Sequence, residues 1–145
     1  MKKKKFITVA IDSPAASGAG TLSKLIAKHY NLFYLDTGKI YRYIGLLRLK
    51  FTKKFSYKFV KQKIDKLKIY ELSNKVLLTD EIAISAATIA RDKKIRDIVH
   101  KFQKNKAYSP PKKFSGSVLD GRDITSIQLK NAMFKFFITA SLKER

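Results

Sequence analysis

Ile11-Asp12-Ser13-Pro14-Ala15-Ala16-Ser17-Gly18-Ala19-Gly20-Thr21 is the stretch that decides the fold. Before it runs Phe6-Ile7-Thr8-Val9-Ala10-Ile11, short, apolar and β-branched. Behind it Leu22, Leu25, Ile26 and His29 recur at i, i+3, i+4 and i+7. The order reads as strand, small-residue loop and amphipathic helix, and the stripe of Leu22, Leu25 and Ile26 is expected to pack on a sheet, with His29 a helix-end residue rather than a ligand. A loop in that position is where phosphates bind in α/β folds, because free backbone N–H groups and the positive end of the helix dipole converge there. From the loop alone, a purely structural Gly/Ala turn is the competing reading.

Working outward, Leu32-Phe33-Tyr34-Leu35 is a second strand ending at Asp36-Thr37-Gly38, after which Ile40, Tyr43, Ile44 and Leu47 restore the helical period. The order βαβα implies a parallel sheet with right-handed crossovers. From Phe51 to Asp80 lysines recur at short intervals around a helical piece, Phe59 to Leu67, and a weak strand, Lys75-Val76-Leu77-Leu78; this is expected to be a small insertion. Ile82 to Lys104 is expected to be helical, with Ile95, Ile98, Val99 and Phe102 buried and Arg96 off that stripe, until Pro110-Pro111 stops it. Ser117-Val118-Leu119 is a third strand leading into Asp120-Gly121-Arg122-Asp123, and Phe134 to Thr139 a fourth. No internal repeat is visible.

The chain has 145 residues, enough for one domain with a real core. It has no cysteine, which excludes a disulfide framework and thiol chemistry, and its two histidines cannot build a metal cage. Met1 and Lys2 to Lys5 imitate the start of a signal peptide, but the apolar run that follows is one strand long and meets Asp12. No export signal is readable, and no run approaches the roughly 20 apolar residues of a membrane span, so a soluble cytoplasmic protein with a disordered basic tail is expected.

The net charge is +21. Phosphate contacts with nucleic acid follow as one reading, helped by aromatics among lysines in Lys53-Lys54-Phe55-Ser56-Tyr57-Lys58-Phe59. Yet 26 of the 32 basic residues are lysine, alongside abundant Ile, Phe, Tyr and Asn, so the charge reads as compositional bias and nucleic-acid binding as nonspecific. The six arginines, Arg42, Arg48, Arg91, Arg96, Arg122 and Arg145, are then the informative cations, since only a guanidinium offers a planar fork matched to phosphate.

Against the phosphate-loop pattern G-x-x-x-x-G-K-[ST], alignment on Gly18 puts Ser13 where the first glycine belongs and Ala19 where the lysine belongs. Ser13 costs roughly 1–2 kcal/mol only if its backbone must be left-handed. Ala19 matters more, because the lysine carries the charge that follows the transferred phosphate. Losing such a cation approaches the ~10³–10⁵ attributed to arginine fingers. Lys24 and Lys39 are the nearest substitutes, at positions the sequence does not fix beside the phosphates.

The loop, then Tyr34-Leu35-Asp36-Thr37-Gly38 followed by Tyr41-Arg42, then Asp120-Gly121-Arg122-Asp123, together resemble bacterial cytidylate kinase, a P-loop nucleoside monophosphate kinase family. The resemblance runs in order from Phe6 to Arg145 and implies a three-layer α/β fold: a parallel sheet with helices on both faces, core 6–50 and 114–145, and a reduced monophosphate-binding insertion at about 51–113. That insertion is shorter than the family's small sheet domain. The resemblance implies ATP as phosphate donor, Mg²⁺, and CMP or dCMP as acceptor. Ser13, Pro14, Ala15, Ala16, Ser17, Gly18, Ala19, Gly20 and Thr21 would take the ATP phosphates. Arg42, Arg96 and Arg122 match the positions that hold the acceptor phosphate, Asp123 the carboxylate that reads cytosine, and Thr37, with Asp36 before it, the hydroxyl that helps place base or phosphate. Asp120 would orient Mg²⁺ through water, and Arg122 and Asp120 stand as the catalytic pair. Ala87 falls where the family has a base-contacting serine.

Read from the residues alone, Arg42 and Arg96 are also ordinary helix-surface cations, Arg122 a local ion pair between aspartates, and Asp120 a turn cap. The family continues beyond the matched region with an arginine-rich lid and a fifth strand. Their absence here, with Ala19, implies impaired turnover, an exposed sheet edge and a monomer whose route to self-association is that edge. A catalytically dead nucleotide binder and a basic nucleic-acid module are the alternatives; another monophosphate or shikimate-type kinase is opposed by Asp120-Gly121-Arg122-Asp123.

Overall fold

The computed structural model describes residues 6–14, 17–141 and 143. The basic N-terminal tail, Ala15 and Ala16 lie outside them. The chain divides into two compact units, one formed by the chain up to Thr37 and from Gln103 onward, the other by Gly38–Phe102.

In the first unit the strands β1 (Ile7–Asp12), β2 (Leu32–Asp36), β3 (Gly116–Gly121) and β4 (Phe134–Phe137) form one sheet in the order β2-β3-β1-β4. Every pairing is parallel, as the alternation of strand and helix requires. β1 and β3 are central and buried, which is why they read as continuous apolar runs; β4 is an outer strand with all four residues exposed. Successive strand residues face opposite ways. Val118 joins Val9, Ile11 and Leu32 in a cluster with Ala19 and Ala27 of helix α1 (Ala19–Tyr30), while neighbouring Ser117 donates from Oγ to the Ala107 carbonyl of α5 (Lys93–Tyr108) at 2.7 Å. The sheet is therefore flanked by helices on both faces.

The α1 interface corrects the expected stripe. Of that stripe Ile26 is half-buried and packs against the core cluster as expected, but Leu22 and Leu25 are 41% and 60% exposed and His29 is exposed, whereas Ala19, Ser23 and Ala27 at i, i+4 and i+8 are buried. The period is right and the phase is rotated, because small residues let the helix approach the sheet closely.

The second unit holds the body of α2 (Thr37–Lys50), then α3 (Tyr57–Asp65), 3₁₀ turns over Ile69–Ser73 and Lys75–Leu78, α4 (Asp80–Ile89) and the start of α5. Its core includes Ile44, Leu47, Val60, Ile64, Leu77 and Ile82. The expected strand at Lys75–Leu78 is a 3₁₀ turn because Asn74 Oδ1 accepts the Val76 N–H at 3.0 Å and starts it. The single helix expected from Ile82 to Lys104 is two: α4 ends at Ile89, and Asp92 Oδ1 accepts the Lys94 N–H at 2.9 Å at the start of α5. No described helix is long and apolar enough to cross a membrane.

Candidate functional site

The carboxyl ends of the parallel strands meet by register, with Asp12 opposite Gly121 and Asp36 opposite Asp120. Ligands bind at this end of open α/β sheets. From here β1 runs into the small-residue loop, and the Ser13 N–H donates to the Gly121 carbonyl at 3.2 Å.

Gly18 caps α1 with φ +84°, a left-handed conformation in which a Cβ is costly, so glycine is needed there. The first turn of α1 has no side-chain cap and no acidic residue. Ser17 Oγ is buried with no hydrogen-bond partner among the described residues. Helix N–H groups with no side-chain cap and a hydroxyl without a partner among the described residues suit the oxygens of a phosphate. Ala19 is the first helical residue, 5% exposed, and fills apolar space where a lysine is expected. Gly20 passes the acidic corner: a Cβ there would lie 3.8 Å from Asp120 Oδ2 and 3.9 Å from Tyr34 Oη. Thr21 is exposed.

The acidic corner is Asp120, buried at the end of β3. Tyr34 Oη donates to its Oδ2 at 3.0 Å, and Thr37 Oγ1 donates to its backbone carbonyl at 2.9 Å. Burial, with the neighbouring Asp36 charge, pushes the Asp120 carboxyl up to about 6. Burial and the two carboxylates push the Tyr34 phenol above its ordinary value as well. Asp120 and Asp36 are hard oxygen donors suited to a Mg²⁺ ion that takes its other ligands from water and phosphate, and a cation would relieve the repulsion that raises Asp120. Among the described residues no group of three or more acids and histidines would hold a metal unaided.

Beyond β3 the chain turns a tight corner. A Cβ on Gly121 would overlap Thr37 Oγ1, so the close approach requires glycine. Arg122 and Asp123 are exposed, and Asp123 has φ +59°. The Asp123 carbonyl accepts from Ile127 N–H and Gln128 N–H, both at 3.1 Å, opening a π-helical turn over Ile124–Gln128. Asp12 holds that turn: Oδ1 accepts the Ile124 N–H at 2.6 Å, and Oδ2 accepts the Thr125 N–H at 3.1 Å and its hydroxyl.

Arg42 and Arg96 belong to the second unit. Arg42 Nη1 donates to the Leu77 carbonyl at 2.8 Å. Arg96 Nη1 lies 3.2 Å from both the Ala90 and Arg91 carbonyls, closing the end of α4. Its charge also stands by Tyr41, where it moderates the burial that pushes the phenol up to about 12. Each guanidinium has five N–H donors, so these bonds leave donors for a ligand. Ala87 is exposed on α4.

Of the sequence-expected site residues, Gly20, Asp36, Thr37 and Asp120 gather at one end of the sheet, and Arg122 and Asp123 follow directly from it. Sequence reasoning missed Asp12, Tyr34 and Thr125 as parts of this site. The available signals were a carboxylate closing an apolar strand and a phenol inside another.

The family model described as cytidylate kinase matches residues 9–145. The cytidylate kinase of Rhodospirillum rubrum is 36% identical over 94% of this chain and 65% of its own length. That of Bartonella tribocorum is 39% identical over 97% and 64%, and that of Fusobacterium nucleatum 34% identical over 96% and 66%. The chain thus spans slightly less than two thirds of the length of these relatives. With a parallel sheet, a small-residue loop between β1 and α1 and the Asp120–Asp123 corner in their expected order, the chain belongs to the cytidylate kinase family.

Proposed function

We propose that this chain binds CMP or dCMP through Arg122 and Asp123, takes the phosphates of ATP on Ser13 to Thr21, and transfers the γ-phosphate to give CDP or dCDP. An oxygen of the monophosphate forms the new bond to γ-phosphorus as the bond to the ADP oxygen breaks. The step needs positioning and charge stabilisation more than base chemistry. The observation that carries this reading is the exposed Arg122–Asp123 corner, standing at the same sheet end as a helix N-terminus that carries no side-chain cap.

Asp123 is proposed to accept from the exocyclic amine of cytosine, which uracil lacks. Arg42 and Arg96 are proposed as further acceptor-phosphate ligands on the strength of their motif positions. Mg²⁺ would neutralise the phosphate charge, with Asp120 and Asp36 its nearest protein oxygens. Turnover is proposed to be weakened by Ala19, and the enzyme to work in the cytoplasm as a monomer.

Titration calorimetry with CMP and UMP tests the reading. CMP is expected to bind about tenfold or more tightly than UMP, with Asp123→Ala abolishing the difference. Equal responses to the two nucleotides, or salt-steep DNA binding without a CMP response, would overturn it.

A further inference from the structure

The Arg122–Asp123 corner holds a backbone conformation uncommon outside glycine. Asp123 sits at φ +59°, ψ 22°, in the left-handed region, and a π-helical turn follows at once. Such backbone persists only where its surroundings over-determine it. Part of the constraint is local: Gln128 Nε2 donates to the Arg122 carbonyl at 3.3 Å, and the Asp123 carbonyl takes two N–H groups. The rest comes from a strand 112 residues earlier. Asp12 is 9% exposed, and both its carboxylate oxygens are spent on Ile124 and Thr125, the two residues next after Asp123.

We propose that Asp12 is a positioning residue for nucleotide selection, its carboxylate fixing the backbone of Ile124 and Thr125 so that Asp123 is presented in one orientation. The inference rests on the proposed reading of cytosine by Asp123. Asp12 itself touches no substrate. Its place in the chain adds a consequence, because the phosphate loop begins at the next residue and the Ser13 N–H is bonded to the Gly121 carbonyl. One anchor therefore holds the points where the donor-phosphate loop and the acceptor-reading corner leave the sheet.

Asparagine at this position keeps the size of Asp12 but offers one acceptor oxygen instead of two, so it cannot reproduce the three bonds. Asp12→Asn is expected to lower the CMP-over-UMP preference about tenfold or more, as loss of charge-assisted hydrogen bonds implies, and to speed amide exchange at Ile124 and Thr125. Thr125→Val removes the hydroxyl bond alone and is expected to lower the preference less, while Thr125→Ser keeps it. A folded Asp12→Asn protein with wild-type preference would overturn the proposal. Should Asp12→Asn fail to fold, wild-type preference in Thr125→Val would overturn it equally. A wild-type chain that does not distinguish CMP from UMP defeats the reading of Asp123, and the selective role of Asp12 falls with it. Amide exchange separates the two failures, since faster exchange in Asp12→Asn reports the anchor whether or not a nucleotide binds.

Discussion

Tyr34 Oη donates a hydrogen bond to Asp120 Oδ2 at 3.0 Å, joining two strands at the sheet end where the small-residue loop begins. The bond favours the charged carboxylate, yet burial and the Asp36 charge outweigh it and leave the Asp120 carboxyl at about 6. An acidic group raised above its ordinary value of 3.8 binds its proton more tightly folded than unfolded. Stability from this group is therefore full below about pH 4, falls as pH rises toward 6, and is flat above.

Asp120→Asn mimics the protonated form and removes that loss. The variant is expected to be more stable than wild type above pH 6, on the order of 1–2 kcal/mol once solvent screening is allowed for, and no more stable near pH 4. Urea denaturation at both pH values measures it. A stability gain independent of pH would disprove the account.

The approach of Gly121 to Thr37 predicts strong coupling between the two positions. Gly121→Ala must displace the Thr37 hydroxyl from the Asp120 carbonyl, combining overpacking of about 1–3 kcal/mol with a lost buried hydrogen bond of about 1 kcal/mol. Thr37→Ala clears the space. The double variant should be more stable than the sum of the single losses predicts, by about 1 kcal/mol or more. Additive losses would mean that the two side chains do not compete for that volume.

Ala19 opens α1, and a helical Cβ tilts toward the helix N-terminus, so a lysine at this position extends toward the phosphate loop. Ala19→Lys is expected to tighten binding of a non-hydrolysable ATP analogue about tenfold or more, in keeping with a charge-assisted contact to phosphate. The gain should shrink at high salt. Unchanged affinity in a variant that melts like wild type would overturn the proposal that Ala19 weakens turnover.

How much of this was legible in the sequence depended on how local each cause was. The strands were legible because buried parallel strands are uninterrupted apolar runs, and Val9, Ile11, Val118 and Leu119 are such runs. The 3₁₀ turn at Lys75–Leu78 was missed because its apolar residues imitate a strand, though Asn74 carried the capping signal. The role of Asp12 was beyond reach, since its partners lie 112 and 113 residues away. Arg96 was recognised as lying off the apolar stripe of α5, but its bonds to the Ala90 and Arg91 carbonyls depend on a helix break that the Ile82 to Lys104 reading did not contain.

Helix α1 shows the same limit and gives the last prediction. Periodicity locates a stripe, but hydrophobicity alone picks the greasiest one, and here the small-residue stripe wins because the sheet surface is close. Leu25, 60% exposed, should tolerate Leu25→Gln within about 0.5 kcal/mol. Ala27 is 8% exposed and clustered with Val9, Ile11 and Val118, so the three carbons added by Ala27→Leu must be packed against the sheet and should cost about 1–3 kcal/mol. The stripe expected from the sequence demands the reverse order. Chemical denaturation of the two variants decides between the phases, and a Leu25→Gln loss exceeding that of Ala27→Leu would return α1 to the leucine-inward orientation.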